Sequence, residues 1–159
     1  SELSDSPWSK KAKDLSIIWG QDARYWEVTE ESAKLKSVCW FDISCKFQDV
    51  PPGEYFVILH GESIESRNSF DIEVQVIMEE EYAENKHITH TEIMHNDQIT
   101  ESGLQLATFV IEVPGTCKVR LWNHDGGWKR NFTIYSITLQ PATSVRFLRT
   151  KSAKTAKPL

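Results

Sequence analysis

Apolar and polar residues alternate along much of the chain, and this period of two predicts β-strands. The clearest case is SFDIEVQVIME, residues 69–79, whose even-numbered residues from 70 to 78 are all apolar. In SVCWFDISCKF, residues 37–47, Cys39 and Cys45 lie on the apolar face, whereas Trp40 lies on the polar face. We predict further strands within residues 54–62, 104–113, 117–124 and 131–141.

Several short strands with one apolar face each favour an all-β fold of two antiparallel sheets, a jelly-roll-like β-sandwich. Residues 55–59 are apolar on both faces, as expected of a central strand, and this favours a sandwich over a closed barrel. The pattern of TEESAKLK, residues 29–36, indicates a short helical turn. The polar residues 79–103 are predicted to form a long loop with one edge strand.

Pattern and charge also predict the domain organisation. We assign residues 1–12 to an N-terminal arm, residues 13–141 to the sandwich domain and residues 142–159 to a basic C-terminal arm. The last fourteen residues, RFLRTKSAKTAKPL, contain five Lys or Arg residues and no acidic residue. We therefore expect this arm to lie outside the packed domain.

Composition and charge narrow the function classes. A net charge of -5 argues against a dedicated nucleic-acid-binding protein. No apolar run is long enough to cross a membrane, and no apolar run near the start resembles a secretory signal. On a strand, Cys39 and Cys45 would be about 20 Å apart, which is too far for a disulfide. We therefore expect buried thiols in a reducing compartment.

Motifs for catalysis and metal binding are nearly absent. GESIE, residues 61–65, begins like a nucleophile elbow but lacks the closing glycine. His87, His90 and His95 have no partner at ligand spacing, and on a strand His90 would point away from the other two. Carboxylates are plentiful, but nothing singles out a glycosidase pair. We predict no catalytic residue, no metal site and no cofactor, and hence no enzyme.

Five motifs carry a family resemblance in the same order along the chain. They are LSIIWGQDARYW (15–26), VCWFDISCKF (38–47), PPGEYFVILHGE (51–62), DGGWKRNFTI (125–134) and ITLQP (137–141). Together they resemble the Nictaba-type plant lectins of the phloem protein 2 family, and most closely the cucurbit phloem lectins. The resemblance implies a jelly-roll lectin domain over residues 13–141 that binds N-acetylglucosamine oligomers or glycoproteins without enzymatic activity. It also implies a location in the cytoplasm and phloem sap, and a homodimer.

Tryptophans supply the first candidates for a sugar site. The chain has six of them, and Trp19 and Trp26 match the paired tryptophans of the family. An aromatic ring offers a flat apolar face to the C–H groups of a pyranose, so we predict that both rings stack on sugar. The alternative for Trp19, which follows two isoleucines, is a place in the core.

A second cluster of candidates follows a predicted hairpin turn at Gly126 and Gly127. Its side chains could form hydrogen bonds with hydroxyls or stack on a ring: Asn123, Asp125, Trp128 and Lys129. The alternative is a well-made hairpin with no role in binding. Trp40 is predicted to pack, although it could also be a third stacking ring or a dimer contact.

A second function remains open, in which the chain is an RNA-binding carrier. The basic C-terminal arm and SKKAK, residues 9–13, would then contact phosphates, and exposed tryptophans would stack on bases. The acidic body of the protein weakens this hypothesis. Salt separates the two functions, because RNA affinity falls with ionic strength whereas binding of an uncharged sugar does not.

Overall fold

The computed structural model describes residues 6–64, 67–80 and 85–142. Two short 3₁₀ turns lie at Ala12–Asp14 and Asn96–Gln98. The strands are β1 (Trp8–Lys11), β2 (Ser16–Ile17), β3 (Trp26–Val28), β4 (Ala33–Leu35), β5 (Phe41–Val50), β6 (Gly53–Glu62), β7 (Asp71–Glu80), β8 (Lys86–His95), β9 (Leu104–Gln105), β10 (Phe109–Ile111), β11 (Gly115–Asn123) and β12 (Phe132–Pro141).

The strands form two antiparallel sheets. The five-stranded sheet has the order β2-β5-β11-β7-β8. The seven-stranded sheet has the order β10-β6-β12-β4-β3, with β1 added beside β12 and β9 beside β6. This arrangement confirms the predicted jelly-roll-like β-sandwich.

The core lies between the sheets and follows the alternation of the sequence. In β5 the odd-numbered residues from 41 to 47 are buried, and in β7 the even-numbered residues from 72 to 78 are buried. Strand β6 is buried on both faces, as predicted for a central strand: residues 55, 57 and 59 join the main core, whereas Phe56 and Ile58 pack with Ala142. Burial of one apolar face per sheet therefore fixes the register of the long strands.

The predicted helical turn at residues 29–36 is wrong. The Thr29 hydroxyl accepts backbone hydrogen bonds from Glu31 and Ser32, which makes a turn. Residues Ala33–Leu35 then form β4, which pairs with β3 on one side and with β12 on the other. Pairing to two neighbouring strands outweighs the weak helical preference of so short a segment.

The predicted N-terminal arm is too long. Strand β1 (Trp8–Lys11) pairs with β12, and the Ala12 side chain is fully buried, so residues 8–12 belong to the sandwich. Residues of β1 are alternately half-buried and exposed. Over only four residues, this alternation is too short to predict a strand from the sequence. Ala142, the first residue of the predicted C-terminal arm, is buried against Phe56 and Ile58. The rest of that arm lies outside the described residues.

The polar segment 79–103 contains more regular structure than predicted. Strand β8 occupies Lys86–His95 and pairs with β7 along its whole length. It lies at the edge of the five-stranded sheet, where polar side chains are tolerated because one side of the strand faces solvent.

Cysteines 45 and 117 are buried, and burial raises the pKa of both thiols to about 12. Cys39 is only half-buried, because β5 begins two residues after it, at Phe41. All three thiols are free. Within the described residues, no helix has the length and apolar character needed to cross a membrane.

Candidate functional site

Three connections between the two sheets lie side by side. Residues 18–25 lead from β2 to β3, residues 36–40 from β4 to β5, and residues 124–131 from β11 to β12; we call them the first, second and third crossover. The backbone N–H of Lys36 donates to the carbonyl of Tyr25 at 2.8 Å, which joins the second crossover to the first. Val38 and Lys129 exchange backbone hydrogen bonds of 3.0 and 2.8 Å, which join the second crossover to the third.

The first crossover is a tight turn that presents Trp19. Gly20 donates its N–H to the Ile17 carbonyl at 3.0 Å, and Asp22 donates to the Trp19 carbonyl at 3.1 Å. A Cβ at Gly20 would lie 2.9 Å from the Ile17 oxygen, so the close approach requires glycine. Trp19 itself has φ 65°, in the left-handed region, and its side chain is 54% exposed. The alternative of a core position for Trp19 is therefore wrong.

Asp22 and Arg24 fix the second half of this crossover. The Arg24 guanidinium donates to both carboxylate oxygens of Asp22, at 2.7 and 3.0 Å, and the Arg24 backbone N–H donates to Oδ1 at 3.0 Å. These hydrogen bonds lower the pKa of Asp22 to about 2. The guanidinium also lies 5.1 Å from the centroid of the Tyr25 ring, within range of a cation–π contact.

Trp19, Tyr25 and Trp128 form what we call the aromatic cluster. Trp19 meets Tyr25 edge-on, with ring centroids 5.8 Å apart, and Tyr25 stacks on Trp128 at 6.5 Å. Trp128 is 63% exposed, and Tyr25 is half-buried between the two indoles. An open depression of about 800 Å³, lined by residues 17–23, adjoins the cluster. The cluster thus brings together Trp19 and Trp128, which the sequence assigned to two separate motifs.

Trp26 does not belong to this surface, and its prediction as a sugar-stacking ring is wrong. The ring is 2% exposed and packs against Phe41, with centroids 5.9 Å apart. Trp26 begins β3, and its side chain points into the core, whereas the turn before it ends at Tyr25. The step from turn to strand therefore reverses the direction of the side chain, which spacing alone does not reveal.

The predicted hairpin at Gly126 and Gly127 is also wrong. Strands β11 and β12 lie in different sheets, so the third crossover passes between sheets and does not join paired strands. Side chains shape it: Asn123 Oδ1 accepts the N–H of Asp125 at 2.9 Å, and Asp125 Oδ1 accepts the N–H of Gly127 at 3.0 Å. Such Asx turns need no left-handed glycine.

Lys129 is buried, and its predicted role as a hydrogen-bond donor to sugar is wrong. Its side chain is 2% exposed. The ammonium group donates to three carbonyls, those of Cys39 at 2.5 Å, Asp125 at 2.8 Å and Gly127 at 2.8 Å. The same ammonium group lies 3.0 Å from Asp125 Oδ1, so four oxygens share its three protons. Lys129 therefore fastens the second crossover to the third.

Asp125 and Asn123 remain at the rim of the third crossover. The Asp125 side chain is 68% exposed, and hydrogen bonds from Lys129 and from the Gly127 backbone lower the pKa of its carboxyl. Asn123 Nδ2 donates to the Asp71 carbonyl at 2.7 Å, so both amide atoms of Asn123 have partners in the protein. A sugar contact by either residue stays a prediction.

A second group of rings, which the sequence did not predict as a unit, lies next to the third crossover. Trp40 stacks on His124, and His124 packs against Trp122. Asp42 accepts hydrogen bonds from Arg120 and shares one with His124 Nε2. We call these five residues the His124 stack. Asp42 on β5 and Arg120 and Trp122 on β11 alternate with buried residues, and Trp40 directly precedes β5. This alternation was the sequence signal that could have identified the group.

Metal binding has no support in the described part of the chain, where no group of three or more His, Cys, Asp or Glu side chains could hold an ion. His90 shares a 2.6 Å hydrogen bond with Glu92, and its ring stacks on Phe109. The histidines of β8 are thus separate side chains on an edge strand.

Comparison with known families decides the relationship. Residues 9–141 match the family model for phloem protein 2. The chain belongs to the phloem protein 2 family. The resemblance inferred from the five sequence motifs is thereby confirmed.

Two relatives from Arabidopsis thaliana carry the phloem protein 2 name. Protein PHLOEM PROTEIN 2-LIKE A9 is 33% identical over 54 residues, which cover 32% of this chain and 30% of the relative. Protein PHLOEM PROTEIN 2-LIKE A1 is 26% identical over 149 residues, which cover 82% of this chain and 59% of the relative. The chain therefore spans less than two thirds of the length of either relative.

The fold is also similar to that of a solved structure. The Podospora anserina GH26-CBM35 β-(1,4)-mannanase superposes with a TM-score of 0.52 at 13% identity, over 87% of this chain and 28% of that chain. At this identity the likeness concerns the fold alone.

Proposed function

We propose that this chain is a lectin that binds N-acetylglucosamine oligomers, free or on glycoproteins, at the aromatic cluster. One observation carries the proposal: Trp19 and Trp128 are both more than half exposed, and each contacts the Tyr25 ring between them. Large exposed rings that are gathered in one place indicate a binding surface more strongly than scattered ones. Membership of the phloem protein 2 family supports the same role.

The chemistry of the surface suits a sugar. A β-linked pyranose has C–H groups on one face and hydroxyls around its edge, and the indole face complements the C–H groups. Because Trp19 and Trp128 already rest on Tyr25, binding costs little side-chain entropy. The ionised, exposed carboxylate of Asp125 can accept hydrogen bonds from hydroxyls at the ring edge.

Calorimetric titration with chitotriose tests the proposal. We expect Trp19→Ala and Trp128→Ala each to weaken binding at least tenfold, which corresponds to about 1.4 kcal/mol. Thermal unfolding should change little, because both rings lie on the surface. Ile88→Ala is the matched control, since Ile88 is exposed to a similar degree on β8. If both tryptophan variants bound chitotriose as tightly as the parent protein does, the aromatic cluster would not be the site.

The proposal includes binding without bond cleavage. Ring stacking and hydrogen bonding are reversible and leave the bonds of the ligand intact. Chitohexaose incubated with the protein for a day should be recovered intact by mass spectrometry. Shorter oligomers that appear in proportion to protein concentration would contradict a purely binding role.

We include a homodimer in the proposal because the family resemblance implies one. Sedimentation equilibrium should then give twice the mass of the chain at micromolar concentration. A single-chain mass across the concentration range would contradict it, and would leave the sugar site unaffected.

A further inference from the structure

Strand β12 contains a β-bulge in the seven-stranded sheet. Its register against β6 shifts between Ile134 and Ser136, so Tyr135 is the extra residue of β12. Ile134 and Ile137 are fully buried in the core, whereas Tyr135 and Ser136 between them are half-buried. Consecutive side chains of a regular strand point to opposite faces. The bulge therefore allows the consecutive side chains of Tyr135 and Ser136 to share the face that points away from the core.

An open cavity of about 560 Å³ lies against this bulge. Its described lining residues come from β12 (Tyr135 and Ser136), from β1 (Lys11) and from the turn between β3 and β4 (Thr29, Glu31 and Ser32). Strands β1 and β4 both pair with β12, which brings the three segments together. The volume falls within the range of small-molecule sites, about 300–1,000 Å³.

Hydrogen bonds hold the backbone around the cavity. In the turn, the Thr29 N–H donates to the Ser32 carbonyl at 2.8 Å, and the Ser32 N–H donates to the Thr29 hydroxyl at 3.1 Å. On the side of β12, Ser136 is paired with Lys11 in the register of β1, and its Oγ lies 3.3 Å from His60 Nδ1. The cavity is thus formed before any ligand binds, which reduces the entropy cost of binding.

The chemistry of the lining favours a neutral ligand with many hydroxyls. Lys11 and Glu31 supply one charge of each sign, and the remaining four lining residues carry hydroxyls, which both donate and accept hydrogen bonds. Burial, and after it the charges of Glu62 and Glu101, raise the pKa of the Tyr135 hydroxyl. An anion would be repelled by these nearby carboxylates, and an apolar ligand would leave the polar lining without partners.

We propose that this cavity is a second carbohydrate site, which binds a neutral pyranose residue beside the ring of Tyr135. The choice of ligand rests on the proposed function, because it assumes that the protein binds sugar. The face of the phenol ring would contact the C–H groups of the pyranose. The Lys11 ammonium would donate a hydrogen bond to one hydroxyl of the sugar, and the Glu31 carboxylate would accept one from another.

The second carbohydrate site is separate from the aromatic cluster. None of its described lining residues belongs to the cluster. The two places lie at opposite ends of β3, since Tyr25 directly precedes this strand and Thr29 directly follows it. At about 3.3 Å per residue, these two α-carbons are about 13 Å apart. A disaccharide should therefore bind twice per chain, so one copy of the chain would hold two glycans at once.

Fluorine NMR of protein that contains 3-fluorotyrosine tests this, with chitobiose as the probe. The chain has four tyrosines, and Tyr25→Phe and Tyr135→Phe identify the two signals of interest by their loss. We expect both signals to shift on titration of the parent protein. In the Trp19→Ala/Trp128→Ala double variant the Tyr135 signal should still shift, with an affinity within twofold of its parent value.

A lysine pair supplies the matched control. Lys11→Ala should weaken the affinity reported by the Tyr135 signal at least threefold, because it removes the donor in the cavity. Lys86→Ala should leave that affinity unchanged, because Lys86 is an equally exposed lysine on β8, in the other sheet. Equal responses of the Tyr135 signal in the two variants would contradict the placement of the sugar beside Lys11.

The outcomes separate the two proposals. If the Tyr25 signal shifts and the Tyr135 signal stays fixed at saturating chitobiose, the second site is wrong and the proposed function stands. The second site is also wrong if the Tyr135 signal shifts in the parent protein but not in the double variant. If only the Tyr135 signal shifts, the second site is supported and the aromatic cluster is not the site. If neither signal shifts at millimolar chitobiose, both assignments to this sugar are overturned.

Discussion

The aromatic cluster and the buried residues that follow its members in the sequence differ in what they contribute. In the cluster, Trp19 and Trp128 expose more than half of their surface. Trp26 and Lys129, by contrast, are almost completely buried. Yet Lys129 follows Trp128 in the sequence, and Trp26 follows Tyr25. Neighbouring residues at the first and third crossovers therefore point in opposite directions, one to solvent and the other into the protein.

Trp26→Ala should have the largest effect, and on stability. Removal of a buried indole leaves a cavity, and we expect the free energy of unfolding to fall by about 3–5 kcal/mol. Urea unfolding measures it, and Trp128→Ala is the control that should change little because its ring is exposed. Trp26→Phe should lose less than Trp26→Ala, since Nε1 of Trp26 has no hydrogen-bond partner within the described structure. A Trp26→Ala protein as stable as the parent would contradict the assignment of Trp26 to the core.

Lys129→Met should have the next largest effect. It removes the donor to the carbonyls of Cys39, Asp125 and Gly127, and unsatisfied buried acceptors cost free energy, so we expect a loss of about 2 kcal/mol. The control is Lys34→Met on β4, where the lysine is exposed and the change should stay within about 0.5 kcal/mol. Equal losses in the two variants would mean that the buried ammonium does not fasten the crossovers.

The sheets could be predicted from the sequence because their long strands repeat the period of two over ten residues. Strands β5 and β7 show this directly: each buries alternate residues against the other sheet. The short strands β1 and β4 could not be recognised, since they have three or four residues and gain stability from neighbouring strands that are distant in sequence. Their patterns carry too little information by themselves.

The candidate site was predicted only in part, because its geometry also depends on contacts between segments that are distant in sequence. Trp19 and Trp128 were identified as residue types that suit a sugar, but their meeting through Tyr25 depends on three crossovers brought together by tertiary contacts. The direction of each side chain in a crossover has no period. Trp26 and Lys129 were therefore assigned to the wrong side, and the support of Trp40 by His124 was not foreseen.

Asp42→Asn tests whether charge also stabilises the His124 stack. The pKa of Asp42 is lowered in the folded protein, so its ionised form stabilises the fold above the unfolded value of 3.8, and this contribution is lost as pH falls. At pH 7 we expect the variant to be less stable by about 1 kcal/mol, and the difference should shrink as the pH falls below 3.8. Urea unfolding over a pH series from 7 downward measures the difference, with Asp97→Asn in an exposed turn as control. A difference that stays constant as the pH falls below 3.8 would contradict this explanation.

Asp125→Ala should have the smallest effect. It should change the selectivity between sugars more than the stability of the fold. If its carboxylate accepts hydrogen bonds from the sugar, the variant should lose part of the preference for chitotriose over cellotriose. We expect that ratio to narrow about threefold, which corresponds to roughly 0.6 kcal/mol. Trp128→Ala should instead weaken both ligands alike. Calorimetric titration of each variant with both trisaccharides compares them, and an unchanged ratio in Asp125→Ala would leave Asp125 with a role in the turn alone.

Because Lys129 is buried, its chemical modification can serve as a probe for local opening of the crossovers. An acetylating reagent must reach the amine nitrogen, and the Lys129 side chain is only 2% exposed, with its nitrogen hydrogen-bonded to three carbonyls. Lys34 is exposed and should be modified at once. Lys129 should be modified only when the second and third crossovers separate, so its rate of acetylation in the native protein, followed by mass spectrometry, would report how often they open. Trp128 directly precedes Lys129, so the same rate would also report how often the segment that carries Trp128 leaves its position in the aromatic cluster.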